Sequence, residues 1–252
     1  MHFTEETSAN GVIERTFTLD EVTGVLWSPA SGSDHAPLIL MGHGGGLHKK
    51  APGLVARAHH YVMTCGFTAA AIDAPGHGDR PRSAEDEQRV AALRRARTAG
   101  EPISTIVADY NSSLAERAVP EWQAILDALQ ALPEIGTEAA VGYSGMTLAS
   151  AIGIPLTAIE PRITAAVFGG VLVYESLTEA AKRISIPIEF LLPWDDAEID
   201  RQSGLDLFDA FGSEEKSLHA NPGGHHQVPL FETENSGRFF ARHLGPVVTP
   251  PA

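Results

Sequence analysis

Apolar and polar positions alternate near the start of the chain and then give way to short, uniformly apolar runs. Residues 12–19 and 22–28 alternate and are rich in Val, Ile, Thr, Phe and Trp, which predicts an antiparallel hairpin around Asp20-Glu21. From Pro37 onward, apolar runs typical of buried strands are separated by stretches with helical spacing. Strands that alternate with helices over short connections predict a mostly parallel central sheet with helices on both faces.

The same two periods predict the other elements. Strands are predicted at 37–41, 67–72, 137–143, 163–168, 187–192 and 216–220. Helices are predicted at 52–65, 84–99, 104–132, 176–183, 203–211 and 231–244, with one more from the turn after 143 to about 158. Pro120 is expected to break or kink the longest helix. The chain is predicted to be one α/β domain over 1–252, and the insert at about 80–105 is the candidate for a small lid.

Composition excludes several classes of partner. Of the 252 residues, 43% are hydrophobic, which is enough for a substantial core, and the formal net charge is −14. Nucleic acids and anionic membranes require clustered positive charge, so neither is expected as a partner. The single cysteine, Cys65, excludes an internal disulfide. The chain begins without a basic region followed by an apolar run, and no stretch reaches membrane-spanning length, so a cytoplasmic location is predicted.

Glycine-rich and polar segments follow the predicted parallel strands, where an open α/β sheet builds its binding site. These segments are Gly42-His43-Gly44-Gly45-Gly46, Asp73 to Asp79, the turn at Ser144, Asp195-Asp196, and Gly223-Gly224-His225-His226. A hydroxyl needs a base to become a nucleophile, and the base needs an acid to orient it. The chain therefore offers all three residue types at one edge of the sheet, in the order Ser, Asp, His.

Ser144 lies between Gly142 and Gly145 at a strand-to-helix turn, which is the form of a nucleophile elbow. Met146 stands where the pattern Gly-x-Ser-x-Gly has its last glycine. The plainer interpretation of this stretch is a strand, a turn and a helix with a capping serine. The other strand-end segments favour the elbow.

These segments resemble the α/β-hydrolase family over roughly Pro37 to Leu244. His43-Gly44-Gly45-Gly46 resembles the family's oxyanion loop, Asp73-Ala74-Pro75-Gly76-His77-Gly78 its Asp-x-x-Gly-x-Gly turn, and Asn221-Pro222-Gly223-Gly224-His225 its histidine loop. The short region between Phe168 and Pro187 leaves no room for a large cap, which favours the dienelactone-hydrolase-like and small esterase branches. The resemblance implies an α/β-hydrolase fold.

The resemblance also implies roles for individual residues. Ser144 is the expected nucleophile, His225 the base and Asp196 the acid, with Gly45 and Gly145 as oxyanion-hole donors. Asp195 is the alternative acid, His226 the alternative base, and Gly44 or Gly46 the alternative donor. His43 is expected to brace its loop by hydrogen bonding, and His77 and Asp79 to shape the turn after Asp73.

The implied function is cofactor-independent hydrolysis of a carboxylic ester, lactone or related acyl bond in a small molecule, through an acyl-enzyme. Hydrolysis of a C–C or amide bond, acyl transfer, and ligand binding with little turnover are the alternatives. No dinucleotide, phosphate-loop or histidine-metal pattern occurs in the sequence, so no cofactor or metal is expected. The insert at 80–105 is expected to overhang the pocket, or else to pack on the flank as a solvated helix. A homodimer is compatible with this prediction.

Overall fold

The structure is a computed structural model that describes residues 1–32, 35–225 and 227–245. Its strands are β1 (His2–Ala9), β2 (Val12–Leu19), β3 (Val22–Pro29), β4 (Leu38–Met41), β5 (Thr68–Ile72), β6 (Val141–Ser144), β7 (Ile163–Gly169), β8 (Ile188–Pro193) and β9 (Lys216–Asn221). Its helices are α1 (Pro52–Cys65), α2 (Ala84–Ala99), α3 (Ser104–Gln130), α4 (Leu148–Thr157), α5 (Glu175–Ala181), α6 (Arg201–Ala210) and α7 (Phe231–Leu244).

The strands form one sheet in the order β1-β2-β3-β5-β4-β6-β7-β8-β9. The first three strands are antiparallel, β3 joins β5 antiparallel, and the strands from β5 across to β9 are parallel. This confirms the predicted mostly parallel sheet with an N-terminal antiparallel hairpin. The sequence does not predict β1, because this edge strand is exposed along almost its whole length and so lacks a buried face.

Alternate residues of the central strands face two separate helical layers. In β4, Leu38 and Leu40 pack into the core that contains side chains of α3, α4 and α5, whereas Ile39 and Met41 pack against α1 and α7. The side-chain period of two produces this division. Helices therefore cover both faces, as the uniformly apolar strands predict.

Pro120 does not end the long helix. The bounds of α3 run through it, and Pro120 and Glu116 are both exposed. Proline removes the hydrogen bond to the carbonyl four residues earlier, and at this position that carbonyl lies on the solvent side of the helix. The cost is therefore lower than it would be on the buried face.

The carboxyl ends of the parallel strands meet at one edge of the sheet. The loops that follow β4, β5, β6, β7, β8 and β9 all leave from this edge. Residues that are up to 180 positions apart in sequence, such as Gly45 and His225, are brought to one cavity in this way.

Candidate active site

A cavity of about 320 Å³ lies at the carboxyl edge of the sheet. The glycine loop after β4, helices α2 and α3, the start of α4 and the loops after β7, β8 and β9 contribute to its walls. Thr147, His225 and Gly45 line it, whereas Ser144 does not. Of the described residues that line it, none is a serine or a cysteine.

The strained turn between β6 and α4 is centred on Thr147. This residue has φ 57° and ψ −119°, a conformation that a β-branched residue rarely adopts. Its amide donates to the Gly169 carbonyl at 3.0 Å, which helps to hold the turn. A strained residue on a strand-to-helix turn, at the edge of the cavity, is the geometry of a nucleophile elbow. This geometry lies three residues after Ser144, where the sequence predicts the elbow.

Small residues on both sides of Thr147 make this turn possible. A Cβ on Gly145 would lie 2.5 Å from the Ala149 Cβ, so only glycine fits at that position. Ala149 in turn is accommodated by Gly42, where a Cβ would come within 2.4 Å of the alanine methyl. Gly145-Met146-Thr147-Leu148-Ala149 thus has the elbow spacing, with threonine for serine and alanine for the last glycine. This spacing is the signal that could have identified Thr147, and Met146 is then no anomaly.

Ser144 is the last residue of β6 and points away from the cavity. It lies opposite Met41 and Val167 in the register of the sheet, and it is 4% exposed. Because side chains alternate along a strand, Ser144 faces the α1 layer while Tyr143 faces α4. Burial raises the pKa of Tyr61, a residue of α1, and a hydrogen bond with the Ser144 side chain opposes that shift. Ser144 is thus not brought together with His225.

Asp196 and His225 are brought together. His225 Nδ1 lies 2.7 Å from Asp196 Oδ2, and the Asp196 side chain is 4% exposed. The second carboxylate oxygen, Oδ1, accepts from the backbone amides of Glu198 at 2.8 Å and Ile199 at 3.1 Å. These bonds hold the carboxylate in one orientation, so that it can fix the tautomer of the imidazole ring.

Asp195 and His226 are the alternative acid and base. Asp195 Oδ2 accepts from the Gly223 amide at 3.0 Å, and the Asp195 amide donates to the Gly223 carbonyl at 3.0 Å. Asp195 therefore pins the loop that carries His225, while Asp196 contacts the ring itself. His226, the alternative base, lies outside the described residues.

Of the two predicted oxyanion-hole donors, the Gly45 amide is available and the Gly145 amide is not. The Gly145 amide donates to the Val167 carbonyl at 3.0 Å, so it is used within the sheet and is not available to a substrate. The amides of Gly44, Gly45, Gly46 and Leu148 donate no hydrogen bond to the described part of the chain, and of the three glycines Gly45 and Gly46 line the cavity. Leu148 directly follows the elbow residue, and a Cβ on Gly44 would lie only 3.0 Å from Thr147 Oγ1. Gly45, which follows Gly44, and Leu148, which follows Thr147, are thus two available donors, with Gly46 as the alternative to Gly45.

His43 orients the glycine loop. The Ala74 amide donates to His43 Nε2 at 3.0 Å, so Nδ1 carries the proton and donates to the Gly44 carbonyl at 2.9 Å. Because the carbonyl and the following N–H point in opposite directions across a trans peptide, the Gly45 amide points away from the His43 ring. The ring therefore sets the direction of a donor at the cavity.

At acid pH, protonation of His43 should break the hydrogen bond that its Nε2 accepts from the Ala74 amide. Burial lowers the pKa of His43 from 6.5 to about 4. A lowered histidine pKa contributes stability that is fully present above pH 6.5 and is lost as the pH falls towards 4, because the buried ring must then be protonated. We expect this group to lower the free energy of unfolding by on the order of 3 kcal/mol across that window.

Urea unfolding at pH 7 and pH 4.5 measures this effect. His43→Gln should lose part of the wild-type pH dependence, whereas His48→Gln, at an exposed histidine in the same loop, should keep all of it. An equal pH dependence in wild type and His43→Gln would contradict the role of His43.

A buried ion pair supports the other side of the loop. Lys49 Nζ donates to Asp73 Oδ2 and Asp79 Oδ2, each at 2.6 Å, and the Lys49 amide donates to Asp73 Oδ1 at 2.8 Å. Burial opposes ionisation of Asp73, but its bonds with Lys49 dominate and hold the pKa of this carboxyl below its usual range. Asp79 also donates its amide to Asp73, at 3.1 Å. Asp73 and Asp79 thus shape the turn and anchor the loop without lining the cavity.

The insert after β5 forms one wall of the cavity. Val90, Leu93 and Arg97 of α2 line it, together with Ile103 just before α3. Arg97 also forms an ion pair at 2.9 Å with Glu198, two residues beyond Asp196. Helix α2 therefore lies over the site and contacts the loop that carries Asp196, and it does not pack only on the flank.

The described residues contain neither a metal-binding cluster nor a helix that could span a membrane. No group of three or more His, Cys, Asp or Glu side chains within those residues has a geometry that could hold a metal ion. Among the helices of the described ranges, none is long and apolar enough to cross a membrane.

Comparison with known proteins finds similar solved structures. No protein-family model matches the chain, and a search of curated proteins finds no match. The PEG-bound complex of a cold-adapted esterase from an Arctic intertidal metagenomic library is 32% identical, with a TM-score of 0.76 over 97% of this chain and 100% of that chain. The native structure of a cold-adapted esterase from an Arctic intertidal metagenomic library is 29% identical, with a TM-score of 0.71 over 97% of this chain and 100% of that chain. An acetyl xylan esterase from Paenibacillus sp. R4 has a TM-score of 0.70 at 12% identity, over 96% of this chain and 88% of that one. At that identity the likeness concerns the fold alone.

Proposed function

Because the chain belongs to the esterase branch of the α/β-hydrolase family, we propose that it hydrolyses carboxylic esters with Thr147 as the nucleophile. The observation that carries this proposal is the strained backbone of Thr147, at φ 57° and ψ −119°, on the cavity that His225 also lines. A serine nucleophile was the sequence-based expectation. Ser144 is replaced in the proposal because its side chain lies on the α1 face of β6 and does not line the cavity.

The proposed mechanism uses five groups: a hydroxyl, an imidazole, a carboxylate and two backbone amides. His225 accepts the Thr147 hydroxyl proton as the oxygen attacks the carbonyl carbon, and it then donates that proton to the departing alkoxide. Asp196 holds the His225 ring through Nδ1 at 2.7 Å. The Gly45 and Leu148 amides stabilise the oxyanion, and each such donor typically contributes about 100- to 1000-fold in rate. Water activated by His225 then cleaves the acyl-enzyme.

The threonine also favours a second candidate function, ligand binding with little turnover. The Thr147 methyl faces Gly170, where a Cβ would lie 3.8 Å from Thr147 Cγ2. This methyl restricts rotation of the hydroxyl about χ1, which a serine would not. Under this alternative an ester occupies the cavity without forming an acyl-enzyme.

One experiment separates the two functions. The protein is treated with an aryl alkylphosphonate, the modified peptide is located by mass spectrometry, and release of 4-nitrophenol from 4-nitrophenyl acetate is followed in parallel. We expect an adduct on Thr147 and multiple turnovers. An adduct on Ser144 would restore the sequence-based assignment, and the absence of both adduct and turnover would favour the binding function.

Other sequence-based expectations stay proposals. Lactones and related acyl compounds are candidate substrates because the same attack applies to them, and C–C or amide hydrolysis and acyl transfer need the same residues. Helix α2 is proposed to limit the size of the acyl group, because its residues Val90 and Leu93 line the cavity. A homodimer and a cytoplasmic location stay predictions.

A further inference from the structure

The cavity carries more positive than negative charge, although the chain as a whole has a net charge of −14. Among the described residues, three arginines line it, Arg82, Arg94 and Arg97, and the only carboxylate that lines it is Glu198. Glu198 is paired with Arg97 at 2.9 Å. The excess positive charge therefore belongs to Arg82 and Arg94.

Arg82 and Arg94 are exposed and make no ion pair or side-chain hydrogen bond with the described part of the chain. The neighbouring carboxylate of Asp86 is not available to them, because Arg117 holds it through two hydrogen bonds, at 2.7 and 3.0 Å. In a chain with 32 acidic residues and 18 lysines and arginines, most guanidinium groups could find a carboxylate. These two instead remain available at the cavity.

A buried hydroxyl without a partner lies in the same wall. Tyr110 lines the cavity, is 7% exposed, and its hydroxyl has no hydrogen-bond partner in the described part of the chain. Burial and the Asp86 carboxylate raise the pKa of Tyr110, whereas the guanidinium groups of Arg82, Arg117 and Arg89 lower it. Of these three arginines, Arg82 lines the cavity together with Tyr110. An unpaired buried hydroxyl is unfavourable, and an acceptor supplied by a ligand would satisfy it.

The rest of the wall is mostly apolar. Val90, Leu93 and Ile103 line the cavity, with Leu114 and Leu172 also contributing. This surface suits a hydrocarbon chain, whereas the guanidinium groups suit a planar anion that accepts two hydrogen bonds at once. An apolar chain that ends in a carboxylate combines both features.

We propose that the substrate is an ester with a carboxylate at the far end of an apolar chain, and that Arg82, Arg94 and Tyr110 bind that carboxylate. Monoesters of dicarboxylic acids, whose free acid group is ionised at neutral pH, are the class that fits. This inference rests on the proposed function for the place of the ester group, which lies at Thr147. Its charged end depends only on the cavity wall.

Calorimetry with a ligand that cannot be hydrolysed tests the charged end by itself. We use 7-oxooctanoate, in which a ketone replaces the ester, and its neutral counterpart 7-oxooctanamide, at low ionic strength. Wild type should bind the carboxylate about tenfold more tightly than the amide, which corresponds to about 1.4 kcal/mol. Added salt should reduce the preference, because the arginines are exposed and salt screens their charge.

Three variants assign the preference to residues. Arg82→Gln/Arg94→Gln should bind the two ligands about equally, whereas Arg95→Gln, on the same helix as Arg94 but not on the cavity, should retain the wild-type preference. Tyr110→Phe should reduce the preference without lowering the melting temperature, because the hydroxyl it removes has no partner in the described structure. Equal binding of both ligands by wild type, or a preference that survives in the double arginine variant, would overturn the proposal. A preference that is unchanged in Tyr110→Phe would remove the tyrosine from it.

Failure of this proposal can be distinguished from failure of the proposed esterase function. Binding of the ketone acid requires no turnover, and phosphonate labelling of Thr147 requires no carboxylate. If labelling fails while the arginine-dependent preference persists, only the esterase mechanism is lost. If labelling succeeds while the preference is absent, only the acidic substrate is lost.

Discussion

Replacement of Thr147 by valine is expected to lower kcat/KM for ester hydrolysis by about 1000-fold or more, since it removes the attacking hydroxyl. Valine has nearly the same shape as threonine and keeps the branched Cβ, so the strained turn at φ 57° is perturbed as little as a substitution allows. The loss should appear in kcat with little change in KM, because the hydroxyl acts in the transition state. Initial rates on 4-nitrophenyl acetate measure both constants.

Two companion variants distinguish Thr147 from Ser144. Thr147→Ser should retain hydrolysis and phosphonate labelling, because it keeps a hydroxyl at the elbow and removes only the methyl that faces Gly170. Ser144→Ala should keep its activity, because the Ser144 side chain lies on the α1 face of β6 and does not line the cavity. Loss of activity in Ser144→Ala, together with an active Thr147→Val, would reverse the assignment of the nucleophile.

Replacement of Asp196 by asparagine is expected to lower kcat by about 100- to 10,000-fold without unfolding the protein. Asparagine can still accept the backbone bonds from Glu198 and Ile199, but its amide group does not stabilise the positive charge that develops on His225 during attack. His225→Ala should have an effect of similar size, because it removes the base. Because the two residues act as a unit, Asp196→Asn/His225→Ala should cost little more than either change alone.

Asp195→Asn is the matched control for this pair. Asparagine retains an oxygen that can accept from the Gly223 amide, so the histidine loop should stay in place and kcat should change little. A large loss in Asp195→Asn with a mild effect of Asp196→Asn would show that the neighbouring carboxylate is the acid. Circular dichroism of each variant would separate misfolding from loss of chemistry.

The acid and the base could be predicted because each is marked by local sequence. Gly223-Gly224 before His225 indicates a tight loop, and Asp195-Asp196 directly follows a buried apolar run. The family resemblance implies Asp196 as the acid, and the contact of 2.7 Å between Asp196 and His225 agrees with that pairing. Their catalytic roles stay proposals until the variants are measured.

The elbow could not be located in the same way, because two overlapping patterns of small residues compete. Gly142-Tyr143-Ser144-Gly145 and Gly145-Met146-Thr147-Leu148-Ala149 both allow a sharp turn after an apolar strand. Pairing of β6 with β4 and β7 extends the strand through Ser144, and the Gly145 amide then bonds to Val167. Because these bonds keep Ser144 and Gly145 in the sheet, the turn lies further along the chain, at Thr147. The Gly145 amide is then occupied, and the Leu148 amide is the available donor.

By itself the sequence determined the fold class and the edge of the sheet at which the polar loops meet. Hydrophobic periodicity and the order of strands and helices can be read from the chain without knowledge of its tertiary contacts. Only the tertiary structure decided which hydroxyl lies on the cavity, because the length of β6 depends on strands that are distant in sequence and each residue added to a strand turns the next side chain to the other face. The charge of the cavity was also a tertiary result. The arginines of α2 have the spacing of an ordinary solvated helix, and only the position of that helix over the sheet edge brings Arg94 to the site.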